Sequence, residues 1–244
     1  MLRRFTAFAL TALALAAAPA AAQVQTIDFS EYSSPTTREY AATFGDPLTS
    51  KGFDFYEAFG YQGDTRYSRN VLGTTGTTSP NLPSNVGGAT TLFATTGGVE
   101  IDMYVHGDDP FAPTRTFNLY SIDVANLFSS AVLPLSTGAG PLGFTLTFYG
   151  YTAADPSTLF RQTFTIPTPP TVGGVVTPVL NTLTFDNRWR GVANVFWDQN
   201  DQYLNYQHQF TNVVAEVTPE PSTYALLGVG LVGVLGAARR RRTA

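Results

Sequence analysis

Hydrophobic residues through the middle of this chain recur at every second position rather than every third or fourth. The alternation is clearest in Phe144-Thr145-Leu146-Thr147-Phe148-Tyr149, where Phe144, Leu146 and Phe148 share one face and the threonines the other. That period belongs to a strand with one buried side. Thr163-Phe164-Thr165-Ile166 and Thr182-Leu183-Thr184-Phe185 repeat it. Similar apolar stretches, bounded by Gly, Pro, Ser, Thr and Asn, predict strands over Val24–Phe29, Gly52–Ala58, Thr90–Thr95, Val99–Val105, Thr116–Val124, Phe144–Tyr151, Leu159–Ile166, Thr182–Phe185, Val192–Trp197 and Tyr206–Val217. No helical period longer than two turns interrupts them. About ten short strands in one body predict an all-β sandwich. Gly73–Gly88, Leu133–Gly143 and Pro167–Pro178 read as connecting loops, and no repeat of fixed period suggests a solenoid or propeller.

The two ends follow other rules. Arg3 and Arg4 precede an apolar run from Phe5 to Ala18; Pro19 then breaks it before Ala20-Ala21-Ala22. A charged start, a short apolar run and small residues at Ala20 and Ala22 predict a signal peptide over residues 1–22, cleaved after Ala22. At the other end, Pro219-Glu220-Pro221 leads into Tyr224–Ala238, which holds no charge, and then into Arg239-Arg240-Arg241-Arg242. As a helix that stretch would span roughly 22 Å, short of the roughly 30 Å hydrocarbon core. Ser222 and Thr223 extend it, and the arginines can snorkel. The arginines also act as a membrane stop and orient that end toward the cytoplasm, leaving the body outside the inner membrane.

Prolines on both sides of Glu220 remove backbone donors and disfavour helix, leaving an extended strip beside the apolar run. This order of Pro219-Glu220-Pro221, short apolar helix and arginine cluster resembles the PEP-CTERM sorting signal, a tail type also labelled as that of some ice-binding proteins. The resemblance implies an exosortase, a membrane-embedded protease or transpeptidase, as partner, and the inner membrane as a transient anchor. It also implies a Gram-negative host that makes extracellular polysaccharide, and a product at the cell surface or in the extracellular matrix. The chain would be that enzyme's substrate.

Residues 23–218 remain as one body of 196 residues, enough for a single domain with a sizeable core. The terminal arginines mask its charge. Without those six, eight basic residues face seventeen acids once Glu220 is also set aside, a net charge near −9 against −4 for the whole chain. An acidic body disfavours nucleic acid as a partner. The chain has no cysteine, so neither disulfides nor thiolate chemistry contribute. Thr26-Ile27-Asp28-Phe29, Lys51-Gly52-Phe53-Asp54-Phe55, Phe117–Asp123, Phe148-Tyr149-Gly150-Tyr151 and His208–Val214, in that order, resemble the jelly-roll bodies of many PEP-CTERM proteins. Those bodies are similar to carbohydrate-binding and lectin-like sandwiches.

Candidate chemistry in the body is sparse. The histidines are His106 and His208, without paired metal spacing; His106 precedes the turn Gly107-Asp108-Asp109-Pro110, read as an exposed acidic turn before a metal site of His106, Asp108 and Asp109. His208 alternates with Phe210 and reads as a surface or half-buried strand residue. Asp28, Glu31, Asp123 and Asp198 are calcium-type ligands without calcium-loop spacing, so no cofactor is assigned and structural calcium stays a secondary option. Trp189, Trp197 and the tyrosines could stack on sugars if exposed, although strand aromatics more often fill cores. Thr145/Thr147, Thr163/Thr165 and Thr182/Thr184 invite an ice-binding array, which a chain without repeats does not hold flat. No nucleophile elbow or phosphate loop is present, and no catalytic residue is assigned. The expectation is a non-enzymatic structural or glycan-binding surface protein. The alternatives are a carbohydrate-active enzyme with two facing carboxylates, or a plain membrane-anchored periplasmic protein.

Overall fold

The computed structural model describes residues 22–34, 38–40, 46–58, 72–74, 86, 88–94, 100–109, 112–127, 143–153, 155–199, 208–218 and 230. The chain divides into two compact units, Val24–Glu216 and a second made of Met1–Gln23 with Val217–Ala244. Ala20 and the tail stretch from Pro219, Gly230 apart, fall outside the described residues, as do most of the Gly73–Gly88 and Leu133–Gly143 loops. Among the described residues no helix is long and apolar enough to cross a membrane.

The strands are β1 (Gln25–Ile27), β2 (Arg38–Tyr40), β3 (Leu48–Ser50), β4 (Phe53–Ala58), β5 (Leu72–Thr74), β6 (Leu92–Ala94), β7 (Glu100–Val105), β8 (Thr116–Asn126), β9 (Phe144–Thr152), β10 (Asp155–Ile166), β11 (Thr171–Val172), β12 (Val175–Val176), β13 (Asn181–Thr184), β14 (Val192–Gln199) and β15 (His208–Thr218). Every strand expected from the alternation is present, with ends moved by a few residues. The count of about ten is corrected upward, because β2, β3, β5, β11 and β12 span only two or three residues each, too few to display a period. β11 and β12 also correct the Pro167–Pro178 loop, whose centre is a hairpin turning on Gly173 and Gly174, both at positive φ (60° and 81°). Two consecutive left-handed residues match the twist of a tight hairpin, and Lys51-Gly52 (46° and 82°) turn β3 into β4 in the same way.

Thirteen strands join one sheet that folds over itself, in the order β2-β5-β6-β15-β8-β14-β7-β4-β3, with β1 on β15, β13 on β8, and β9 with β10 on β14. One layer is β13, β8 and β15 flanked by β6 and β1; the other runs β10-β9-β14-β7-β4-β3. β14 meets β8 through the pair Val192↔Phe117, then lies between β9 and β7 for the rest of its length. Rings cross between the layers: Phe53 meets Phe117 at 5.2 Å, Trp197 meets Phe210 at 5.0 Å and Phe148 meets Phe185 at 5.0 Å. Phe29, Phe53, Phe55, Phe117, Phe148 and Phe210 are all fully buried, so the interior is largely aromatic. The sandwich expected from the sequence is therefore present.

Candidate functional site

Trp189 and Trp197 are 0% and 1% exposed. Trp189 enters the core from a 3-10 turn (Asn187–Trp189) capped by Asp186, whose side chain accepts the Arg188 backbone N–H. Both tryptophans touch Phe148. The sugar-stacking option fails for these two residues, and the core reading holds. The surface reading of His208 is likewise corrected, since it is buried and its Nε2 accepts from Trp197 Nε1 at 3.0 Å. Burial holds its pKa down to about 4, so the ring is neutral.

His106 and Asp108 do not converge on a metal. His106 Nδ1 lies 2.8 Å from Asp54 Oδ1, which also accepts from Thr49 Oγ1 at 2.5 Å, while Asp54 Oδ2 accepts the Gly107 N–H at 3.3 Å. Asp108 is filled by the Thr114 and Arg115 backbone N–H groups and the Thr114 hydroxyl. Threonine and carboxylate meet the same histidine nitrogen, whereas a nucleophile–base–acid relay needs them on opposite nitrogens. The calcium candidates are dispersed too. Asp28 binds Lys51 Nζ at 2.8 Å, which draws its pKa down to about 2, and Glu31 accepts from Ser50. Asp123 accepts from Thr182 Oγ1 and Asn212 Nδ2 at 2.6 and 2.8 Å. Among the described residues no three of His, Cys, Asp and Glu form a metal-holding group. The threonines divide between layers: Thr147 and Thr163 face each other across β9–β10 with hydroxyls 3.0 Å apart, whereas Thr182 and Thr184 sit on β13. Thr147 is buried, so the six do not form one flat exposed array.

The face of β4, β7, β14 and β9 turned away from the core is unlike an ordinary wet strand surface. Strand alternation sends Phe53 and Phe55, Ile101 and Met103, and Val195 and Trp197 into the core, and Asp54, Tyr56, Asp102, Tyr104, Asn194, Phe196 and Asp198 outward. Register aligns these into rows: Asp54↔Tyr104↔Asn194↔Tyr151, then Tyr56↔Asp102↔Phe196↔Tyr149↔Arg161, then Asp198↔Thr147↔Thr163. Directly opposed side chains on antiparallel strands touch. Tyr56 and Tyr104 pack edge-to-face at 5.8 Å, and Tyr149 and Phe196 lie nearly parallel, 11° apart with centroids at 5.1 Å. Asp54, Tyr56, Asp102, Tyr104 and Asn194 are buried, while Tyr149, Tyr151, Phe196 and Asp198 are half-buried. Burial, followed by the nearby Asp102 charge, raises the Tyr56 pKa, and burial raises those of Tyr104 and Tyr151, so all three phenols stay protonated donors. Burial also raises the pKa of Asp198.

The sequence offered Tyr56 and Tyr104 only among the tyrosines as a group, and Asp198 only as a calcium-type ligand; it did not single out Asp54, Asp102, Asn194 or Phe196 as site residues. The available signal was aromatic and acidic residues on the odd beat of aliphatic strands, as in Ile101-Asp102-Met103-Tyr104-Val105. Nothing local shows that four such strands lie side by side.

The second unit holds the other candidate. β15 keeps its strand conformation to Thr218, and residues 217–242 begin there with a match to a known family description. The chain carries a PEP-CTERM protein-sorting motif. The motif match includes Pro219, Glu220, Pro221 and Arg239 through Arg242, all outside the described residues. A PEP-CTERM signal indicates export and a cell-surface or extracellular destination. No curated protein matches this chain in sequence. A DUF4465 family protein from Bacteroides caccae is similar in structure at 12% identity, covering 81% of this chain and all of that one, with a TM-score of 0.46. A family 29 carbohydrate-binding module complexed with mannohexaose has 12% identity, 80% and 92% coverage and a TM-score of 0.36. A xylan-binding domain from Paenibacillus barcinonensis has 10% identity, 80% and 99% coverage and a TM-score of 0.33.

Proposed function

We propose that this chain is a non-enzymatic surface protein, delivered with a signal peptide over residues 1–22 and a sorting tail over 219–244, whose body at 23–218 binds polysaccharide of the surrounding matrix. The observation that carries the delivery half is the sorting motif at 217–242. In this reading the apolar stretch 224–238 crosses the inner membrane as a transient helix, the four arginines stop it, and an exosortase reads the strip at Pro219-Glu220-Pro221 before the tail is lost. The binding half rests on the outward face of β4, β7, β14 and β9, where tyrosines and acceptors alternate. The jelly-roll description belongs to the same proposal.

A non-catalytic role is supported by how two of the three carboxylates of that face, Asp54 and Asp102, are engaged. Asp54 accepts from Thr49 Oγ1 and the Gly107 N–H and lies 2.8 Å from His106 Nδ1, and Asp102 takes the Tyr56 hydroxyl, so both are bound up within the protein, whereas Asp198 keeps an Oδ1 without a donor among the described residues. Mass spectrometry of the mature C-terminus in an exosortase-bearing host tests the delivery. Loss of the tail beyond Thr218 is expected; peptides reaching Thr243-Ala244 in surface material would mean a plain anchored protein instead. Glu220→Ala with Pro221→Ala should leave export intact and stop processing, and unchanged processing would refute recognition of the motif.

A further inference from the structure

Resting on the reading of the body as a glycan binder, we infer that Asn194, Phe196 and Asp198 of β14, with Tyr149 of β9, form a subsite for neutral, hydroxyl-rich sugars and not for uronates. The first support is a pair of acceptors lacking donors. Asn194 is 4% exposed and its amide hydrogen-bonds the Tyr151 side chain, yet its Oδ1 is buried and no donor of the described residues reaches it. Asp198 Oδ1 is in the same condition. A buried acceptor left without a donor is costly, and the great majority in folded proteins have one. Both point to the same face, because residues 194 and 198 are an even number of positions apart on one strand. Strand geometry separates them by roughly 13 Å, with Phe196 midway.

The second support is the ring pair between them. Phe196 and Tyr149 are directly opposed across β14 and β9, nearly parallel and half-buried, on the side away from the core. An aromatic surface flanked by acceptors complements a sugar ring, which offers apolar C–H faces and O–H donors at its rim. The third support is charge. The three rows carry one carboxylate each, Asp54 in the row of Asn194, Asp102 beside Phe196 and Asp198 in the third, against the cation Arg161 opposite Tyr149. A uronate would bring its carboxylate up to carboxylates, whereas a neutral hexose or pentose brings donors.

The test uses the full-length chain in micelles of an amine-oxide detergent, which carries no sugar headgroup. Isothermal titration compares neutral hexaoses of glucose, mannose and xylose with hexagalacturonate. At least one neutral hexaose should bind, hexagalacturonate should not, and Phe196→Ala, Tyr149→Ala and Asn194→Leu should each weaken binding tenfold or more. Phe196→Leu keeps the apolar volume but not the ring, and should weaken binding equally at an unchanged melting temperature, which separates recognition from folding. Neutral binding that survives Phe196→Leu and Tyr149→Ala overturns this subsite while leaving the glycan-binding reading standing. Preference for hexagalacturonate overturns the ligand class. Absence of binding to every probe overturns both the subsite and the reading beneath it.

Discussion

Asn212 adopts φ 48° in the middle of β15, a left-handed conformation that costs most residues roughly 1–2 kcal/mol. Its effect is to change which side chains point inward. Before it His208 and Phe210 meet Trp197 in the core while Gln209 and Thr211 are buried as well; after it Val213 and Ala215 are the buried ones, on odd positions. One extra residue in a strand reverses the alternation, and asparagine tolerates the required φ while donating to Asp123. Asn212→Val is expected to destabilise by about 2 kcal/mol and Asn212→Gly by less than 1 kcal/mol, read from urea denaturation midpoints. His208 makes a second residue-scale prediction. Its folded pKa, about 4, is depressed below the unfolded 6.5, so the unfolded chain binds the extra proton. The stability this residue confers is complete above pH 6.5 and is lost as pH falls toward 4, by about 3 kcal/mol in total. His208→Gln, which keeps an acceptor for Trp197, should flatten that part of the stability–pH curve.

At the scale of elements, β9 and β14 form the spine of the longer layer. Phe148 of β9 touches Phe164, Phe185, Trp189 and Trp197, linking β10, the segment after β13, the 3-10 turn and β14. Phe148→Ala should therefore cost about 3–5 kcal/mol, measured by chemical denaturation. Gly150, two residues on, faces the same interior. A Cβ there would meet Phe160 Cζ at 3.0 Å and Trp189 Cζ3 at 3.1 Å, two rings already packed edge-to-face. Gly150→Ala is expected to cost about 1–3 kcal/mol through displaced rings, with altered near-ultraviolet dichroism as the sign that the tryptophan has moved. The glycine here preserves a close approach of strand and aromatic ring.

For the whole body, the antiparallel pairing Gln25↔Ala215, Thr26↔Val214 and Ile27↔Val213 brings the start of β1 to the end of β15. Entry of the chain into the sandwich and exit from it share one edge. Lys51 reinforces that edge by donating to the Thr26 carbonyl and to Asp28. A protease reads extended, unpaired backbone, so the paired part of β15 should resist cleavage in the folded protein. Ile27 is 0% exposed, and Ile27→Asp would place an unpaired charge in the core and loosen β1. Limited proteolysis of that variant is expected to yield new cuts within 212–218, where the parent chain yields none. Equal resistance of the two would mean that β15 is held without β1.

Fold class was legible in the sequence because strand alternation is local: Phe144, Leu146 and Phe148 declare a buried face without reference to any partner. The sorting tail was legible for the same reason, its charge, proline and apolar spacing forming one continuous stretch. Partner and register are not local. The outward rows join Asp54, Asp102, Asn194 and Tyr149 from strands separated by tens of residues, and pairing alone brings them onto one face. Burial of His208 and of both tryptophans was decided at the same level, since a half-polar ring on a strand suits core or surface until the opposite layer fixes its environment. Composition and period thus determined that this chain is an acidic, strand-rich body bearing a sorting tail; long-range pairing determined which residues of that body face outward together.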